Sequence, residues 1–181
     1  SEPNVEVRCQ LACSARRLPA RQAITIVRSL LGRDEDATDP FNPLLVWWAI
    51  EAKADEEREQ IVEMFRDPSL WDKALVKQHI AERVMRRYAM AGTRRDLITC
   101  AQLFENAPNP EASKTLLTGF ETAFAGRTLS ALPDELVAAL TKVGGGSLAL
   151  RLRRGDEAAL GEALTLAADE KTNVTQRVEV I

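Results

Sequence analysis

Residues 39–57 read DPFNPLLVWWAIEAKADEE, and the fold turns on how Trp47 and Trp48 are accommodated. Only 5% of the chain is aromatic, so two adjacent tryptophans stand out. Neighbouring helical residues point about 100° apart, so the two rings cannot share one narrow stripe. Leu44, Leu45, Val46, Ala49 and Ile50 make the segment apolar nearly all round. An ordinary amphipathic helix would leave one ring in water, whereas a helix packed between a partner and the next layer buries both. The stretch therefore predicts stacked helical hairpins, with Trp47 and Trp48 as a wedge between repeats.

The flanks have the same helical period, and strand-like alternation is almost absent. On the N-terminal side, NVEVRCQLACSARRL carries two apolar stripes, Val5, Cys9, Ala12 and Val7, Leu11, Ala15, Leu18. ARQAITIVRSLLG follows Pro19, with Gly32 as a C-cap. Asn42-Pro43 reads as an N-cap with proline at the first helical position, and Asp55 as the cap of the next helix. Beyond it, DPSLWDKALVKQHIAERVMRRYAMAG is the longest helical run, and Thr93 to Asp96 reads as a capping box. The remaining segments are helical lengths joined by Gly, Pro and Asp turns. The expectation is an all-α chain.

Pairing consecutive helices gives units that open near Asn4, Asn42, Asp72, Asn109 and Ser147, with a sixth at Asn173. Their spacing of roughly 26 to 38 residues is irregular and averages near the shorter end of helical-hairpin arrays such as HEAT and armadillo. The first and last units both begin N-V-x-x-R: Asn4, Val5, Arg8 and Asn173, Val174, Arg177. A capping Asn, an inward aliphatic and an Arg reaching a carboxylate or carbonyl of a neighbouring turn suit a stacked hairpin. Residues 1–181 are thus expected to form a single α-solenoid of about five HEAT-like hairpins.

Two motifs carry a family resemblance. They are V-R-x-Q-L-A (Val7, Arg8, Gln10, Leu11, Ala12) and D-P-x-x-P-L-L-x-W-W-A-x-E (Asp39 to Glu51). The chain resembles the HEAT-like region of large secreted planctomycete and verrucomicrobial proteins of the membrane-bound dehydrogenase, haem-binding type. The resemblance implies a β-propeller before the helical region, a c-type cytochrome domain after it, and a periplasmic or cell-envelope location. A c-type haem requires C-x-x-C-H; Cys9 and Cys13 are one residue too far apart and Ser14 follows, so no cofactor is expected in this stretch.

Bulk properties set further bounds. The 24 Lys and Arg nearly offset the 27 Asp and Glu, a formal charge of −3, so nothing drives the whole chain toward nucleic acid. No apolar run approaches the roughly 18–20 residues that span a bilayer. Ser1 in place of Met, and an end inside the periodic segment NVTQRVEVI, suggest a piece of a longer protein. Cys9, Cys13 and Cys100 are odd in number and sparse; they read as buried small hydrophobes, which leans toward a cytoplasmic setting.

No constellation in the sequence points to catalysis. Gly144, Gly145 and Gly146 lack the lysine and spacing of a phosphate loop and read as a turn. His79 is the only histidine and has no nucleophile in an identifiable motif. Glu56-Glu57 and Asp134-Glu135 fall in first helical turns, where the dipole favours acids. Arg86, Arg87, Arg94, Arg95, Arg151, Arg153 and Arg154 form a candidate anion or nucleic-acid patch, set against a solvated face with local ion pairs. The expectation is a non-catalytic scaffold that docks protein domains, with nucleic-acid binding by the Arg clusters as its rival.

Overall fold

The computed structural model describes residues 2–125, 132–169 and 173–174. Among the described residues, ten α-helices follow one another and no strand occurs. They are α1 (Val5–Arg17), α2 (Ala20–Leu31), α3 (Asn42–Glu51), α4 (Arg58–Met64), α5 (Ala81–Ala91), α6 (Arg94–Asn106), α7 (Pro110–Phe124), α8 (Asp134–Lys142), α9 (Leu148–Arg153) and α10 (Glu157–Ala168). Helix α1 packs on α2 and α3, α2 on α3 and α4, and α3 on α5. Helix α4 packs on α6, α5 on α6 and α7, α6 on α7 and α8, and α9 on α10. A single apolar cluster runs from Ala12 in α1 to Leu150 in α9.

Local chemistry sets most helix ends. Asn4 accepts from the amides of Glu6 and Val7 and starts α1. Thr93 and Asp96 form the reciprocal capping box of α6, and Asn109, Ser147 and Asp156 cap α7, α9 and α10. Gly92, at φ 68°, closes α5 by donating to the Tyr88 carbonyl, and the chain reverses at once into α6.

Two expected caps are corrected. The Asp39 carboxylate accepts from the amides of Phe41 and Asn42, so it starts α3, while the buried Asn42 amide turns inward to Asp36. Asp55 lies ahead of α4 and pairs with Arg87 instead; Glu57 precedes the helix without a side-chain cap. The long central run is also interrupted. A 3-10 turn, Pro68–Asp72, precedes a π-helical turn, Val76–Ile80, that flows into α5. Trp71 anchors the 3-10 turn: its indole N–H donates to the Phe65 carbonyl at 2.8 Å and its ring meets Phe65 edge-on.

The tryptophan pair is the main correction. Trp47 is 9% exposed and belongs to the core, but Trp48 is 41% exposed. Helix α3 has neighbours along Val46, Trp47, Ala49 and Ile50, and nothing among the described residues covers the side that Trp48 and Leu44 present. The inward aliphatics of the N-V-x-x-R starts are corrected too. The inward stripe of α1 is Arg8, Ala12 and Ala15, so Val5 in the first turn stays partly exposed. Val174 is 70% exposed, and Arg177 lies outside the described residues.

Candidate functional site

The uncovered side of α3 continues onto α1. One groove of about 590 Å³ is lined by Glu6, Val7, Cys9 and Gln10 of α1 with Phe41 and Leu45. A second, of about 450 Å³, is lined by Ala12, Cys13, Arg16 and Arg17 with Leu45 and Trp48. Low numbers of α1 face low numbers of α3, so the two helices run in the same direction. Leu45 belongs to both grooves and marks their junction. Val7, Phe41, Leu44 and Trp48 are exposed along this face. Contiguous exposed apolar surface with charged ends is the usual signature of a contact surface.

Cys9 and Cys13 are half-buried in this face, not interior as expected, because α1 turns Arg8 and Ala12 inward and leaves the intervening residues at the groove. Burial pushes the Cys9 thiol up from its usual range, and the Asp39 and Asp36 carboxylates add to the shift. It is therefore held as a thiol at neutral pH. Cys100 is fully buried, and burial raises its thiol far above the usual range.

Two buried ionic clamps hold elements of the fold together. In the first, the Arg8 guanidinium donates through Nε to Asp36 Oδ2 at 2.7 Å and through Nη2 to Asp36 Oδ1. Its Nη1 reaches the carbonyls of Glu2 and Pro3 at 3.1 and 2.8 Å. Asn42 Nδ2 donates to the same carboxylate at 2.7 Å. The Asp36 hydrogen bond is the main reason the Arg8 guanidinium is held more firmly protonated than usual.

In the second clamp, Arg58 Nη1 donates to Asp96 Oδ1 at 2.6 Å and to Thr99 Oγ1 at 3.1 Å. The guanidinium carbon sits 4.9 Å from the centroid of the Tyr88 ring, and the Tyr88 hydroxyl donates to the Ala54 carbonyl. Burial pushes Asp96 up, but hydrogen bonds from Thr93 and Arg58 outweigh it and hold the carboxyl below its ordinary value. Burial also raises the Tyr88 hydroxyl well above its usual range.

The basic clusters are engaged in local contacts. Arg86 and Arg87 on α5 meet Glu82 and Asp55, and Arg94 and Arg95 on α6 meet Glu135 and Glu59. On α9, Arg151 bridges Asp156 and Glu162, Arg153 donates to the Phe124 carbonyl, and Arg154 forms the helix C-cap. These guanidiniums are spread over three helices, and those of Arg86, Arg87, Arg94, Arg95 and Arg151 already face carboxylates. His79 Nε2 meets the Ala37 carbonyl at 2.8 Å, which ties the π-helical turn to the turn before α3. Gly144, Gly145 and Gly146 all take positive φ and join α8 to α9, with the Gly145 amide closing on the Leu140 carbonyl. Of the paired carboxylates, Glu57 accepts from Gln60 and Glu135 pairs with Arg94. No group of three or more His, Cys, Asp or Glu assembles a metal site among the described residues.

Phe41, 68% exposed, and the second clamp escape the sequence reading. One signal for the clamp was available: α4 opens on Arg58, and a cation in a first helical turn opposes the dipole unless a buried anion holds it there. Comparison of the chain with protein-family models, curated proteins and solved structures returns no match.

Proposed function

We propose that this chain is a non-catalytic helical-repeat scaffold, a HEAT-like array of about five hairpins that holds or docks other protein domains. The observation that carries the reading is the order of packing, in which α1 through α6 each meet the next helix, the next but one, or both. Such nearest-neighbour stacking builds a long surface from one continuous core. The starts of α1, α3, α7 and α9 lie at or beside Asn4, Asn42, Asn109 and Ser147, four of the unit starts read from the sequence, which supports the reading. The polar side chains inside the molecule support the same reading, because Arg8, Asp36, Arg58 and Asp96 tie layers together.

Small-angle scattering extrapolated to infinite dilution tests the array. A compact 181-residue domain has a maximum dimension of about 40 Å, whereas five hairpins stacked at about 10 Å reach about 55–60 Å from corner to corner. A value at the compact limit sinks the array. The nucleic-acid rival requires free cations, and titration with duplex DNA at low salt is expected to show no binding at micromolar protein. On the resemblance carried by Val7 to Ala12 and Asp39 to Glu51, the domains held are a β-propeller and a c-type cytochrome of a cell-envelope redox protein. A parent reading frame that encodes neither would refute that assignment.

A further inference from the structure

We propose that the α1–α3 face is a two-fold interface with a second copy of this chain, in which α1 lies antiparallel on the partner's α1 and α3 antiparallel on the partner's α3. The face carries a charge pattern that is complementary to itself. Exposed Glu6 stands at one end of α1, and exposed Arg16 and Arg17 stand at the other. None of these three side chains joins an ion pair among the described residues, whereas Arg86, Arg87, Arg94, Arg95 and Arg151 all do.

A two-fold axis lying in the face and crossing α1 at Leu11 exchanges the ends of the helix. It sets Glu6 opposite Arg16 and Cys9 opposite Cys13, because both pairs are centred on position 11. The same axis must cross α3 at the level of Leu45, the residue shared by the two grooves. A crossing between Leu44 and Leu45 sets exposed Phe41 against exposed Trp48, and Leu44 near the axis. Charges, thiols and aromatic rings thus find matching partners about one axis, which is the requirement of an isologous interface. The paired aromatics lie about 10 Å apart along α3 and the paired charges about 15 Å apart along α1, at the helical rise. This places an apolar centre inside a charged rim, the anatomy of a stable contact. A second copy satisfies all three matches at once, and so it is favoured over a helix from an unrelated protein.

The inference is independent of the array reading, since a strictly monomeric chain would leave the scattering result untouched. Sedimentation equilibrium of the full chain is expected to show a monomer–dimer equilibrium at micromolar to submillimolar concentration. Arg16→Glu is expected to weaken it at least about tenfold, and Glu6→Arg in the same chain to restore it. Trp48→Glu is expected to abolish it while leaving the helical circular dichroism unchanged. Cross-linking reads the register directly. Diamide takes up the two thiol hydrogens as each S–S bond forms. Cys9→Ser protein alone, or Cys13→Ser protein alone, is expected to cross-link poorly, since like cysteines sit about 6 Å out of register. A mixture of the two is expected to give a covalent dimer joined through Cys13 of one chain and Cys9 of the other. A chain that stays monomeric at several hundred micromolar overturns the proposal. So does a dimer indifferent to Arg16→Glu and Trp48→Glu, or a mixture that cross-links no better than its components.

Discussion

Gly119→Ala places one methyl group where α7 meets α5. A Cβ built at Gly119 would lie 2.3 Å from the Glu82 carbonyl oxygen, 3.1 Å from its carbon and 3.3 Å from the Arg86 nitrogen. Ordinary contact begins near 3.4 Å, and every obstacle is backbone, so no side chain can rotate aside. The helices must separate by about 1 Å along their most extensive contact, loosening Leu116, Phe120 and Tyr88, all fully buried. Overpacking of this kind costs about 1–3 kcal/mol. Replacing glycine by alanine in a helix returns about 0.5–1 kcal/mol through propensity, which leaves a net loss of about 1–2 kcal/mol. For a chain of this size that is a fall in melting temperature of about 2–8 °C. The internal control is Gly161→Ala in α10, where a Cβ meets nothing within 4 Å. Propensity alone should act there and stabilise by about 0.5–1 kcal/mol. Thermal and urea denaturation of both variants, followed by circular dichroism, check the pair. If Gly119→Ala stabilises the chain as Gly161→Ala does, the close approach of α5 and α7 is not as described.

The tryptophans should separate by energy: Trp47→Ala is expected to cost about 3–5 kcal/mol and Trp48→Ala less than half as much, and the reverse order in urea melts would refute the assignment of core and surface. Arg58→Ala strips a buried carboxylate of its cation and is expected to cost about 3 kcal/mol, while Arg95→Ala, at an exposed ion pair, is expected to stay within about 1 kcal/mol. Because the folded-state pKa of Asp96 is depressed, its contribution is complete above about pH 4 and is lost as pH falls through the lower folded value. Asp96→Asn should therefore flatten the fall of stability below pH 4, and an unchanged acid profile would count against the clamp. Thiol titration of the folded chain should count Cys9 and Cys13 at moderate rates and Cys100 only on unfolding; three thiols reacting together would contradict the burial of Cys100.

The all-helical fold and most of its boundaries were legible in the sequence, because they rest on chemistry within a few residues. Asn4, Thr93 with Asp96, Gly92 and Asn109-Pro110 act on amides and carbonyls of their own turn, and short-range rules identify such partners. Where a nearby residue competes, the local rule fails: Asp39 displaces Asn42 as a cap because Asn42 is recruited by Asp36. The helical period of residues 42–51 was also a local property. Which of its faces meets a neighbour was not, since an apolar ring all round the helix has no preferred side. Packing against α1, α2 and α5 decided that Trp47 is interior and Trp48 is surface. The clamps depend on tertiary structure for the same reason. Arg8 and Asp36 are 28 residues apart and Arg58 and Asp96 are 38 apart, and only the stacking of helices brings each pair within a hydrogen bond. Local sequence thus determined what each segment becomes, and the meeting of distant segments decided which of its groups are spent inside the molecule and which remain for a partner.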